Sequence, residues 1–351
     1  MEEMLKEEIE YFIAKYSSSD LPQVLELPSD LTLPVLNTLW TMQAGIRYHL
    51  DDPKLRDLLS KVDASFRSGG ATGGYLNMFP WLRFIIPRLS GYLDMKESVE
   101  SLQDFLKETI KEHKTSLDRS NPRDFIDIFL LEMENQTDPS TTFTEEQLIT
   151  SSMDLFVAGS ETTSNTLGFL ILYVTSYPMI QKKIHEELDK HVGRSRLPEL
   201  RDRSNLSFVE AVIMEGQRMS NVAPFTPPHQ ASEDVELNGY TIKKGSSVLF
   251  SMYSIHMDKA YWGDPEFFRP ERFVNSDGAV KKEPRLIPFG YGKRVCLGET
   301  LARASLFMFF SSLMHKFEFN FLKEDSIPTL EARDGFTLSP VPYRVEIKTR
   351  F

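Results

Sequence analysis

FGYGKRVCLG, residues 289–298, carries the only cysteine of a 351-residue chain, and the reading of the fold starts from it. Pro288 leads into the stretch, Gly290 and Gly292 break it, Arg294 stands two residues before Cys296, and Gly298 meets an apolar helical pattern. Glycines ahead of a thiol let the backbone pass close to a flat ligand and turn N–H groups toward sulfur. A single thiolate cannot close a four-ligand zinc site. It can be the sole protein ligand of an iron whose other ligands come from a porphyrin, or a buried structural cysteine in a glycine-rich loop.

Composition narrows the classes. Hydrophobic residues make up 41% of the chain, with 25 Phe and 14 Met, which predicts a well-filled, aromatic-rich interior. A formal charge of -11 argues against wholesale nucleic-acid binding. One cysteine excludes an intrachain disulfide framework and fits a reducing compartment. No signal sequence and no long apolar span is visible, and Met1 is followed at once by acidic residues.

Outward from the cysteine, the periodicity is mostly helical. Leu5, Ile9, Phe12, Ile13 and Tyr16 predict an amphipathic helix over 1–17; 21–34 reads as a proline-broken loop, and 33–48 as a second helix. Further helices are predicted over 53–67 and 94–117, and the segment NPRDFIDIFLLEME follows at 121–134. The SGGATGG stretch at 68–74 reads as a flexible loop, and the aromatic segment 75–86 offers Phe79, Trp81 and Phe84. Thr144 with Gln147 predicts a capping box opening a long helix over 148–177. Asp154, Glu161 and the polar block 160–166 argue against a membrane span there. A charged helix follows over 178–192, with Gln181, Lys182 and Lys183 outward, then one over 206–219 that sets Glu215 and Arg218 on one face. Residues 235–250 predict a hairpin turning at Asn238 and Gly239, with a longer strand after Gly245; 297–317 predicts a buried helix, and 333–348 ends in a strand.

FGYGKRVCLG resembles the haem-binding loop of the cytochrome P450 superfamily, Phe-x-x-Gly-x-Arg-x-Cys-x-Gly, at every fixed position. AGSETT, residues 158–163, resembles the family's oxygen-activation motif, and Glu215, Arg218 and the Arg272 of PEFFRPERF resemble its Glu-Arg-Arg triad. The resemblance covers essentially the whole chain and is nearest to family 2-like microsomal members. It implies a mainly α fold with small β-sheets, residues 1–351 forming one partial cytochrome P450 domain. The family's membrane anchor, first helices and first strands have no counterpart here, so the resemblance implies an N-terminally truncated chain.

The same resemblance implies haem b (iron protoporphyrin IX) held by the Cys296 thiolate, Arg294 and His229 on its propionates, and Phe289 and Gly290 packed near the sulfur. Ala158 and Gly159 would leave room for the cofactor and O2, Thr162 would offer a hydroxyl to oxygen, and Glu161 would relay protons. Val222, Ala223, Phe225, Thr226, Phe336 and Leu338 are the implied substrate contacts. The activity implied is a monooxygenase acting on a hydrophobic molecule, with electrons from NADPH-cytochrome P450 reductase or cytochrome b5 at the cytosolic face of the endoplasmic reticulum. Lys281, Lys282, Arg285 and Lys293 supply a basic stretch for such a partner. Two alternatives stay open: a catalytically silent product that binds haem or a partner, and a haem-thiolate isomerase or dehydratase.

Overall fold

In the computed structural model the described residues are 1–17, 22–68, 76, 79–138 and 140–351; most of the SGGATGG loop and Tyr75 lie outside them. The helical spacing at the start of the chain forms α1 (Glu2–Ser17), which buries Leu5, Ile9, Phe12 and Ile13. The helices that follow are α2 (Ser29–Ala44), α3 (Pro53–Ser68), the one-turn α4 (Leu82–Ile85), α5 (Tyr92–Ser116), α6 (Phe125–Asn135) and α7 (Glu145–Ser176). Then come α8 (Pro178–His191), α9 (Ser207–Ser220), the short α10 (Met252–His256) and α11 (Lys259–Trp262), and α12 (Glu299–Lys316). The fold is mainly α-helical with small sheets, as the sequence predicts.

At 32 residues and about 48 Å, α7 is the axis. It packs against α2, α5, α9 and α12. Trp40 of α2 is fully buried, its ring 5.2 Å from Phe105 of α5 and 5.6 Å from Phe156 of α7. That knot joins three helices and accounts for part of the chain's aromatic content. No helix among the described residues is long and apolar enough to cross a membrane.

Several local expectations change. β1 (Gln23–Leu27) occupies the predicted loop, and α2 begins at Ser29 with Pro34 inside it. β1 pairs with the distant β9 (Tyr343–Thr349), Leu25 opposite Val345, and the central β9 also pairs with β6 (Phe317–Phe321), Phe319 opposite Ile347. Along β9, Tyr343, Val345 and Ile347 alternate into the core. Gln181 does not face out: its side chain bonds both backbone groups of Phe319, at 2.7 and 3.0 Å, and ties α8 to β6. The predicted capping box is half formed, because Thr144 accepts from the Gln147 amide at 3.1 Å while the Gln147 side chain turns to Ser151. The hairpin β3 (Val235–Leu237) to β4 (Tyr240–Ile242) forms as predicted. The longer strand does not: β5 (Ser247–Val248) pairs only with the two-residue β2 (His229–Gln230).

Where α5 meets α6, a buried charge cluster replaces apolar packing. Asp124 caps α6 by accepting from the Asp127 amide at 2.9 Å and meets His113 Nε2 at 3.0 Å. His113 Nδ1 lies 2.8 Å from the Thr109 carbonyl, so both ring nitrogens face acceptors and the ring is an imidazolium. Arg123 takes Asp127 at 2.7 and 2.9 Å. Burial by itself would lower the His113 pKa, but the bonds to Asp124 and Thr109 outweigh it and raise it above 6.5. A raised folded pKa means the stabilisation is complete below about 6.5 and is lost as pH rises through the folded value. Denaturation midpoints measured across that range fall for the wild type and not for His113→Gln.

Candidate functional site

Glu215 and Arg218 sit three apart on α9 with no solvent exposure. Arg218 donates to both Glu215 oxygens at 2.7 and 2.9 Å, and its other N–H groups reach the carbonyls of His256 and Pro265 at 2.9 and 2.8 Å. Arg272 Nε meets Glu215 at 3.2 Å, and the Arg269 amide meets it at 2.9 Å. The geometry brings the three predicted residues together. Arg272 also bonds the Trp262 carbonyl at 2.6 Å and the Asp264 carboxylate at 2.6 Å, so α9 holds the segment leading to the cysteine loop.

His256, which sequence reasoning missed, extends this framework. Its Nε2 accepts from the Ile287 amide at 3.0 Å, so the proton is on Nδ1, which donates to Asn221 at 2.8 Å. Asn221 closes α9 in the left-handed conformation. His256 therefore pins the entry of the cysteine loop to the end of the triad helix. No motif marks it.

The loop itself is held by its own backbone. Gly290 and Gly292 have φ of 79° and 80°, which a side chain would strain, and the Cys296 amide donates to the Phe289 carbonyl at 2.9 Å. α12 begins three residues beyond, after Gly298. Phe289 is half-buried beneath Arg303, 4.8 Å from its ring. Around it the loop is open: Cys296 and Arg294 are exposed, and Tyr291 and Leu297 are 89% and 90% exposed.

On α7 the motif residues turn inward on the helix. Thr162 donates to the Ala158 carbonyl at 2.9 Å, Ser164 to that of Ser160 at 2.9 Å, and Thr166 to that of Thr162 at 2.8 Å. The helix runs unbroken from 145 to 176. A side chain at Gly159 would meet Leu39 of α2 at 2.3 Å, so the missing side chain makes room for a helix neighbour and not for a cofactor. Glu161 is 5% exposed and pairs with Arg67 of α3 at 2.7 Å. Burial pushes its carboxyl above the ordinary range against the pull of Arg67.

Of the implied substrate contacts, Val222 is buried, Phe336 is 42% exposed, and the Leu338 amide donates to the Val222 carbonyl at 2.8 Å. Ala223, Phe225 and Thr226 are half-buried beside them; the Thr226 amide bonds the Phe250 carbonyl at 3.0 Å. His229, half-buried in β2, has its ring 6.3 Å from that of Phe250.

The profile of the cytochrome P450 family matches residues 1–347. The chain belongs to the cytochrome P450 family. It is 41% identical over 318 residues to a farnesoate epoxidase of Bombyx mori, covering 91% of this chain and 64% of that protein. It is 42% identical over 277 residues to cytochrome P450 2U1 of Homo sapiens, covering 78% and 51%, which places it with family 2-like members. To cytochrome P450 18a1 of Drosophila melanogaster it is 34% identical over 357 residues, covering 100% and 66%. The chain thus spans between about half and two thirds of the length of these relatives.

Membership in the cytochrome P450 family does not bring the family chemistry to this site. A thiolate that ligates haem iron needs surroundings that keep water from the bond. Residues 1–351 leave Cys296 exposed, with Arg294 in solvent and the space at Gly159 taken by Leu39. These residues do not fit haem b, and the expectation of a haem-thiolate monooxygenase is overturned by that exposure. The isomerase alternative falls on the same ground. Among the described residues, the one group of three or more His, Cys, Asp or Glu side chains with converging ligand atoms is His113, Asp124 and Asp127, far along the chain from Cys296 and already bonded within the α6 cap.

Two outcomes follow from the framework. Glu215→Ala leaves the buried Arg218 guanidinium without a carboxylate and Arg272 with Asp264 alone, and lowers unfolding free energy by roughly 3–5 kcal/mol in denaturant titration. For His256, burial and then Arg218 depress the pKa from 6.5 to about 4, so its stabilisation is complete above 6.5 and disappears as pH falls toward 4. The wild-type minus His256→Phe difference in unfolding free energy shrinks across that window.

Proposed function

We propose that this chain is a catalytically silent cytochrome P450 product that acts by binding a partner through the face carrying Cys296. The observation that carries the reading is the exposure of the loop from Tyr291 to Gly298, with Tyr291 and Leu297 about nine-tenths in solvent. An aromatic and a leucine so exposed, side by side with charge, have the composition of a protein docking surface. Among the described residues, Lys282, Lys293 and Arg294 make no ion pair, whereas Lys281 pairs with Glu283 and Arg285 with Asp258. Unpaired cations at the rim favour an acidic partner and speed its encounter.

The partner class that fits is an acidic redox protein of the NADPH-cytochrome P450 reductase type, with cytochrome b5 as a smaller example. Both would place the complex at the cytosolic face of the endoplasmic reticulum. Glu215, Arg218 and Arg272 would set the loop in position for that contact, and Val222, Ala223, Phe225, Thr226, Phe336 and Leu338 would offer an apolar wall to a small hydrophobic molecule without turning it over. In this reading the chain occupies the reductase and passes no electrons to oxygen.

Titration of the reductase against the chain, followed by surface plasmon resonance at several salt concentrations, tests both halves. Binding weakens with salt, and the pair Lys293→Glu with Arg294→Glu lowers affinity about tenfold, or ~1.4 kcal/mol. After incubation with haemin and reduction, carbon monoxide produces no absorption band of thiolate ligation. Salt-insensitive binding that survives charge reversal, or the appearance of that band, overturns the proposal.

A further inference from the structure

The tip between β7 (Ala332–Arg333) and β8 (Ser339–Pro340) is tied down by residues outside its own hairpin. Its ladder has two residue pairs, Ala332 opposite Pro340 and Arg333 opposite Ser339, and Pro340 has no N–H to donate. So short a ladder cannot hold its own tip. Arg67, at the end of α3, supplies what is missing. Its Nη1 donates to the Thr337 carbonyl and lies 3.5 Å from that of Asp334, while Nη2 reaches Glu161 at 2.7 Å and Thr337 Oγ1 at 3.4 Å. Thr337 Oγ1 in turn meets Glu161 at 3.2 Å.

Three contacts flank this knot. The Phe336 amide donates to the Phe66 carbonyl at 2.8 Å, the rings of Phe66 and Phe336 lie 5.7 Å apart, and Arg333 reaches Asp63 at 3.4 Å. Gly335 is part of the fit. A side chain there would come within 2.3 Å of Arg67 Nη1 and 2.9 Å of its Cζ, so the glycine leaves the berth in which the guanidinium lies. Nothing in the hairpin's own sequence points to α3 or α7.

We infer that residues 334–338 form a strap latched by Arg67 onto Glu161, which closes the seam between α3 and α7 and opens as a unit when that ion pair is broken. The pair suits a latch. It is buried on both sides, at 9% and 7% side-chain exposure, yet Glu161 Oε1 has no hydrogen-bond partner among the described residues. A buried carboxylate with one oxygen unsatisfied is held less firmly than one fully bonded, as Glu215 is. Release would free the Leu338 amide from Val222 and bare Phe336 and Phe66 together. The inference rests on these contacts alone and is independent of what docks at the cysteine loop.

Amide hydrogen exchange read by mass spectrometry on the full chain tests it, in the wild type and in Arg67→Met, Glu161→Gln and the double variant. The strap amides of residues 336 and 338 exchange at least tenfold faster in each single variant, and no faster again in the double. Protection in α9 and along β9 stays unchanged. Gly335→Ala displaces Arg67 without removing a charge, gives the same local opening, and decides the matter if Arg67→Met does not fold. Strap exchange that stays at the wild-type rate, or that rises equally across the whole chain, overturns the latch.

Discussion

A carboxylate cut off from water is tolerated only where donors replace its hydration shell, and Glu215 is the group on which the rest of the second half hangs. Four N–H groups converge on it, two from Arg218, one from Arg272 and one from the Arg269 amide. The arginines use further donors on the carbonyls of His256, Trp262 and Pro265, so the stretch 256–265 is drawn to the end of α9. His256 carries the arrangement one step further by holding Asn221 and Ile287 at once. By then the chain is two residues from Phe289, and the loop closes on itself through the bond from Cys296 to Phe289.

The consequence is a loop that is well placed and uncovered. Its glycines take the backbone geometry that only glycine adopts easily, and its cysteine stands just ahead of a long buried helix. What chemistry a thiol performs depends on what surrounds it, and here Cys296 is exposed on the same loop as the exposed Tyr291 and Leu297. A face of that kind suits recognition by another protein.

Helix α7 shows the same separation of sequence from role. Its serines and threonines satisfy themselves on their own backbone, which lets so polar a block remain helical in the interior. Its glycine is spent on contact with Leu39, and its acid on Arg67. In this chain the motif also lies where α2 crosses α7 closely and where α3 reaches α7 through an ion pair.

Helix periodicity was legible at these helices, because apolar residues three and four apart report directly which face is covered: α1, α3, α5 and α9 lie within a few residues of the predicted 1–17, 53–67, 94–117 and 206–219. The spacing of Glu215 and Arg218 and the cysteine stretch were equally visible, being local. Strand β1 was not, since its partner lies some three hundred residues away and a five-residue strand has no signature apart from its pairing. Nor were Gln181 at β6, His256 at Ile287 or Arg67 at Glu161, each a polar side chain whose meaning is set by a distant backbone or charge. The amino-acid sequence by itself determined the family and the helical frame. Only the tertiary structure decided that Cys296 meets water, because solvent exposure belongs to the packing of the whole chain and to no residue pattern within it.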